Sequence, residues 1–363
     1  MSSGPIPSHL ATSEQEYTRL GIAPDHIGSW EDGLRTSGGK GTYEWWYFDA
    51  HLHDASKVVI VFYTKPLIDV DKPLKPYVAF TLDRPDGTHI EQMYHAAPDA
   101  FAASKEGCDV RIGPNVFAGD LHAYQLHLEM EGVTADLTLT GTVPPWRPAT
   151  GHLLFGARDE HYFAWLPAVP QGEVDATITL AGTPEHFTGI GYHDHNWGNI
   201  SIARLIDHWY WARGKIGAYT LIASYITVAK RYGYRTVPIF MLACDGRILA
   251  DDGGKVRFTA RAIQRDPATG KPVANLTRYE YRDADHHYVL TFTRRNTILR
   301  IKLVESIHGI QGALARLIGF DGAFLRFTGD LALTHYEGAA VVESQQDEAI
   351  WELMYLAHAH AER

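Results

Sequence analysis

The sequence predicts an all-β protein made of two successive strand-rich units, and three observations carry that reading. Short apolar or alternating runs recur from residue 43 onward. Gly, Pro and Asp-Gly signals separate them. The runs also fall into two sets of similar size that meet near residue 188, which suggests a pseudo-duplicated architecture. Period-2 patterning with such punctuation is the signature of antiparallel strands joined as hairpins and meanders.

Residues 1–40 are polar and rich in Gly, Ser and Pro, ending RTSGGKGT, and read as a lead-in segment packed over the barrel rim. Residues 41–187 form the first unit, with strands expected at KVVIVFYT (57–64), PYVAFTLD (76–83) before the turn RPDGT, YQLHLEME (124–131), ADLTLTGTV (135–143) and GEVDATITLAG (172–182). About eight to ten strands fit there, a number suited to a closed or nearly closed barrel. Residues 188–363 form the second unit, from HWYWARG (208–214) and AYTLIASYITV (218–228) through the Asp245-Gly246 hairpin to FLRFTGDLALTHYEG (324–338). ESIHGIQGALARLIGF (305–320) has spacing compatible with a helix or an irregular crossover. The tail QQDEAIWELMYLAHAH (345–360) sets Ile350, Leu353, Met354 and Leu356 at helix-like intervals and is a terminal helix or strand.

Composition narrows the function. The chain has 363 residues, enough for two ordinary cores, and a formal net charge of −10. With Lys and Arg scattered, nothing supplies the basic footprint of a nucleic-acid or anionic-membrane partner. No apolar run approaches the ~18 residues of a membrane span, and MSSGPIPSHLATSEQ lacks the basic and apolar regions of a signal peptide. A soluble cytoplasmic protein is expected. Cys108 and Cys244 are the only cysteines and read as strand-edge residues, neither a disulfide framework nor a metal pattern. Twenty His, nine Trp and nineteen Tyr suit either thick aromatic cores or a pocket for a flat apolar ligand.

Two stretches concentrate chemistry. In YEWWYFDAHL (43–52) alternation places Tyr43, Trp45, Tyr47, Asp49 and His51 on one face and Glu44, Trp46, Phe48, Ala50 and Leu52 on the other. Glu44 is then the only polar side chain on an apolar face, where desolvation favours the neutral acid and hence a proton donor. The competing reading is a buried ion pair, with Arg213 as the partner. In GIGYHDHNWGN (189–199), Tyr192, Asp194 and Asn196 share one face and His193, His195 and Trp197 the other, with Gly189, Gly191 and Gly198 permitting close backbone approach. Three readings remain open: a His-x-His metal pair, a buried structural network, and an acid–base site. Downstream, Trp209, Trp211 and Arg213 lie on one strand face, and aromatic rings of this kind stabilise cations. P-loop, dinucleotide, zincin and nucleophile-elbow motifs are missing.

These two motifs, in this order, resemble the carotenoid 1,2-hydratase (hydroxyneurosporene synthase) superfamily, which includes AttH-like proteins, kievitone hydratase and lipocalin-like Diels–Alderases. The resemblance takes in CDVRIGPN (108–115), YFAWLPAVPQGEV (162–174) and WYWARGKIGAYT (209–220), and so most of residues 41–230. It implies a tandem lipocalin-like (calycin) fold and enzymes with no metal or organic cofactor that act on prenyl groups or polyenes. By similarity Glu44 is the proton donor, and His195 and Trp197 line the pocket. Carotenoid hydratases carry an aromatic and an aspartate downstream of the His-Asn-Trp positions; here LIASYITV offers Ser224 and Tyr225 and no acid. The expectation is therefore a cofactor-independent enzyme that hydrates a trisubstituted alkene of a hydrophobic small molecule. Glu44, Asp194 and His195 are catalytic, and Trp45, Trp46, Tyr192, Trp197, Trp209, Trp211, Arg213 and Tyr225 contact substrate. An intramolecular cyclase and a non-catalytic binder of apolar ligands are the alternatives.

Overall fold

A computed structural model describes residues 4–303 and 321–356. The chain divides into two compact units. One comprises Leu10–Leu154 with Arg158–Ser201; the other runs from Ile202 onward and includes Phe155–Ala157 and the N-terminal residues through His9. The division follows Ser201, later than the expected boundary at 188, because the strand Thr183–Gly198 runs straight through that position, pairing from Thr183 onward with His161–Leu180 and over Gly189–Gly198 with Tyr43–Leu52. A long strand hydrogen-bonded on both edges cannot be divided between two cores. The segment 305–320 lies outside the described residues.

The first unit is an antiparallel sheet. Its strands follow the order His89–His95, Tyr77–Asp83, Lys57–Tyr63, Tyr43–Leu52, Thr183–Gly198, His161–Leu180, Val133–Gly141, Ala123–Met130, Asn115–Gly119, Cys108–Ile112 and Phe101–Ala103. Alternation decides which side chains enter its core. Leu126 and Leu128 face Leu137 and Ala135 from adjacent strands, while Trp46, Phe48, Ile60, Phe62, Val78 and Phe80 enter from the other side. Pro167 and Pro170 lack an N–H to give the ladder, and the pairing of His161–Leu180 with Thr183–Gly198 shifts register at both places. At Gly189 an added β-carbon would run into the His51 carbonyl oxygen, so glycine is what lets the two central strands close.

The N-terminal segment is more than a lead-in. Ser13 caps a short helix, Glu14–Leu20, through a capping box with Glu16. A 3-10 turn, Ser29–Asp32, then buries both of its acids, Glu31 and Asp32.

The second unit holds a nine-stranded antiparallel sheet, in the order Arg247–Ala250, Thr236–Cys244, Tyr219–Val228, Ile206–Ile216, Ala340–Tyr355, Ala323–Glu337, His287–Lys302, Pro272–Arg282 and Val256–Arg265. The Asp245-Gly246 hairpin forms as expected, with both residues at positive φ. Of the two options for the tail, the described part is strand. Ala349, Trp351, Leu353 and Tyr355 point into the core at period 2, against Ala323–Glu337 and Ile206–Ile216. Ile350 and Met354, which suggested a helix, lie on the other face. Pairing on both edges outweighs local spacing. Among the described residues no helix is long and apolar enough to cross a membrane.

Candidate functional site

Register settles which expected residues meet. Trp197 lies opposite Glu44, His195 opposite Trp46, Asp194 opposite Tyr47 and Tyr192 opposite Asp49. Residues opposite one another in an antiparallel pair share a face. Glu44, Trp46, His193, His195 and Trp197 therefore share the core face, whereas Trp45, Tyr192, Asp194 and Asn196 share the opposite face of the same sheet. The three expected catalytic residues do not converge: Asp194 is separated from Glu44 and His195 by the sheet itself.

On the core face Glu44 is fully buried but far from isolated. Oε1 accepts from the Arg35 amide at 2.6 Å and from His195 Nε2 at 2.9 Å; Oε2 accepts from the Thr36 amide at 2.8 Å and its hydroxyl at 2.7 Å. Four donors on two oxygens make an anion receptor. The lone carboxyl expected among apolar neighbours is thus corrected, since its partners come from residues 35–36, which the periodicity of one strand cannot show. Arg213, the ion-pair candidate, belongs to the other unit.

His195 stacks on Trp46 with ring centres 4.6 Å apart and leans on Trp197 at 4.7 Å. Its Nδ1 faces Asp32 Oδ1 at 3.5 Å. Asp32 Oδ2 accepts from the Tyr124 hydroxyl at 2.6 Å and from His193 Nε2 at 3.1 Å, and the Asp32 carbonyl accepts from Trp46 Nε1. His193 donates through Nδ1 to the Tyr47 carbonyl. The result is an alternating buried chain, Glu44–His195–Asp32–His193. Burial pushes the Asp32 carboxyl up, but the charge and hydrogen bond of His193, with His195 and Tyr124, outweigh it and hold the group below the usual carboxylate range. Burial likewise opposes charge on His193, and Asp32 overcomes it, raising the imidazole. The pair is an ion pair.

Cys108 borders this chain. Its sulfur, a carboxylate oxygen of Asp32 and a ring nitrogen of His193 lie within 4.8 Å of one another. That spacing alone would admit a metal ion. The donors are otherwise engaged, however: Asp32 and His193 bond each other, and burial pushes the Cys108 thiol well up, away from the thiolate a metal needs. Cys108 opens the strand Cys108–Ile112 and Cys244 closes Thr236–Cys244, the first buried and the second half-buried.

On the opposite face Asp194 is gripped by three side chains. Trp165 Nε1 and the Tyr192 hydroxyl each donate to Oδ2 at 2.7 Å, and Asn196 Nδ2 donates to Oδ1 at 2.7 Å. Burial pushes this carboxyl up, and these donors only partly restrain it. Beside it runs a cross-strand row in which Trp165, Asn196, Trp45, Tyr63, Tyr77 and His95 lie directly opposite one another in succession. Tyr63 and Tyr77 stack at 4.6 Å, and Trp45 lies 6.3 Å from Tyr63. The Tyr63 phenol is pushed up to about 12 by burial and then by the charge of Asp194.

The remaining expected contacts lie in the second unit. Trp209, Trp211 and Arg213 share the face of Ile206–Ile216 that points away from that unit's core, whereas Tyr210 and Ala212 enter it. Tyr225, opposite Tyr210, packs on the core side and stacks on Phe258 at 3.9 Å. Asp32, Thr36, Tyr63, Tyr77 and Trp165 went unnoticed in the sequence. The one available signal was the acidic pair after Trp30 in an otherwise Gly/Ser-rich stretch.

The chain is similar in sequence and fold to several known proteins. The Diels-Alderase-like family model matches residues 116–293. The quinolone epoxide rearrangement protein penF of Penicillium thymicola is 27% identical over 206 residues, 50% of this chain and 54% of its own. Hydroxyneurosporene dehydrogenase of Chlorobaculum tepidum is 25% identical over 48% of this chain and 53% of its own. The chain spans about half the length of these curated relatives. Among solved structures, a putative AttH from Nitrosomonas europaea superposes with a TM-score of 0.56 at 16% identity, covering 89% of this chain and 95% of its own. Kievitone hydratase from Nectria haematococca does so at 0.54 and 14%, covering 97% and 98%. The fold is thus the lipocalin-like all-β fold of these structures. The Diels-Alderase-like pattern thus covers residues 116–293, just under half of the chain, on a fold shared with these structures across most of its length.

Proposed function

We propose that the protein is an enzyme that rearranges a hydrophobic small molecule by proton donation from Asp194, with no net gain or loss of atoms. The observation that carries this is the Asp194 constellation: a buried carboxyl oriented by an indole, a phenol and an amide, beside an aromatic row. The carboxyl proton passes to an alkene carbon or an epoxide oxygen of the substrate. The positive charge that develops is met by the faces of Trp45, Tyr63 and Tyr77. An internal bond then forms, and the proton released returns to the Asp194 carboxylate. Glu44, whose oxygens are already taken by four donors, is assigned to positioning instead. Relatives support an atom-conserving outcome: penF is named for an epoxide rearrangement and the family for Diels–Alder chemistry. Hydration differs only in that water captures the same cation, and it is the competing reading.

The test is product mass. Wild type and Asp194→Asn are incubated with polyenes, epoxides and prenylated phenolics, and products are read by mass spectrometry. An isomer of unchanged mass that falls by about 10²–10⁴-fold in a normally folded Asp194→Asn supports the reading. A gain of one water moves the protein to the hydratases. Saturable binding with no turnover makes it a binder, and turnover undiminished in Asp194→Asn removes Asp194 as the acid.

A further inference from the structure

A cleft of about 360 Å³ opens on the first unit, on the Trp197 side of the sheet, and the Asp194 chemistry makes no use of it. Its walls include the rings of Trp30, Trp197, Tyr162 and His152 and the side chains of Leu154 and Ile22. His152 packs 5.5 Å from Trp197 and 5.8 Å from Tyr162, centre to centre. Because the Thr150 carbonyl can only accept, His152 Nδ1 at 2.8 Å must donate to it, and Nε2 is left as the acceptor. Burial, then partly offset by that carbonyl, pushes the imidazole down to about 4, consistent with a neutral ring. Tyr162 brings a phenolic donor, which burial and the nearby charge of Glu44 keep protonated.

Three of the four charged side chains at this wall stand in ion pairs. Arg19 bonds Asp159 at 2.9 Å, and Glu31 bonds Arg147 at 2.8 Å. Arg35 donates to the Gly33 and Lys105 carbonyls and lies over the Trp30 ring. A cationic ligand would find each wall carboxylate already in an ion pair, and an anionic one would meet only Arg35, which is held by two carbonyls and the Trp30 ring.

We infer that this cleft is a second binding site, on the other side of the sheet from Asp194, for a neutral flat aromatic molecule bearing a hydroxyl group. The rings of Trp30 and Trp197 take the aromatic body. The hydroxyl donates to His152 Nε2 and accepts from Tyr162, a pairing that only a group able to do both can satisfy.

The experiment is calorimetric titration of the full chain with 2-naphthol, naphthalene and 2-naphthoate. The expected result is saturable binding of 2-naphthol, about tenfold tighter than the other two, as one buried hydrogen bond of about 1.4 kcal/mol gives. His152→Phe, which keeps an aromatic ring and loses the acceptor, should erase that preference, whereas Asp194→Asn should leave it intact. Tyr162→Phe provides a second reading if His152→Phe fails to fold, and should cut 2-naphthol affinity alone. Equal affinity for all three probes overturns the inference. So does a preference that survives His152→Phe or, where that variant does not fold, Tyr162→Phe, or one that vanishes in Asp194→Asn.

Discussion

Glu44→Gln tests how much the four donors around that carboxyl group contribute to the fold. The substitution keeps the side chain's size and replaces one oxygen by NH₂. In one orientation the NH₂ confronts the Arg35 amide and His195 Nε2; in the other it confronts the Thr36 amide and hydroxyl. The hydroxyl can turn to accept, so the second orientation is preferred, and it leaves the Thr36 N–H facing another donor. One buried unsatisfied donor costs about 1–3 kcal/mol. The remaining bonds weaken because a neutral amide replaces a carboxylate acceptor, which brings the total to about 3–5 kcal/mol. At about 2–4 °C per kcal/mol for a domain of this size, the first unit should melt about 6–20 °C lower. Scanning calorimetry of the full chain reads this directly. A melt within about 2 °C of wild type, combined with loss of turnover, would refute the reasoning and return the proton-donor role to Glu44.

Three further expectations rest on the same geometry. Asp32, held below its unfolded value, contributes stability above about pH 4 that is lost as pH falls through its folded pKa; His193, held above its own, contributes below about pH 6.5 and loses this as pH rises past the raised value. Urea unfolding of wild type and Asp32→Asn should therefore differ most between about pH 4 and 6.5, and a difference that stays constant up to pH 9 contradicts the ion pair. Trp165→Phe removes one donor from Asp194 and raises that carboxyl further, so the alkaline limb of the pH–rate profile should move to higher pH; a shift to lower pH excludes Asp194 as the acid. Gly189→Ala should destabilise the first unit by about 1–3 kcal/mol through collision with the His51 carbonyl, and an unchanged urea midpoint would show that the two strands can part without cost.

The sequence by itself determined the all-β class, the hairpin positions and the sorting of side chains between faces. Alternation already put Glu44 and Trp46 on one face and Trp45 on the other, and His195 opposite in sense to Asp194; the structure keeps both assignments. These are local properties, set by the two-residue period of an extended chain and by turn residues that only certain backbone conformations accept.

Only tertiary structure decided which groups meet. Glu44 is satisfied by amides of residues 35–36 and by an imidazole at 195, and Asp32 by Tyr124 and His193. No period within a strand encodes such partners, because they depend on where a Gly/Ser-rich segment crosses the core. The same holds for Asp194, whose distance from Glu44 is small in pairing register yet spans a sheet. The tail at 349–355 chose strand over helix because two edges awaited it, a non-local gain absent from its own spacing. Residue type sets what each side chain is able to do; the pairing of distant strands decides which of those capacities are used.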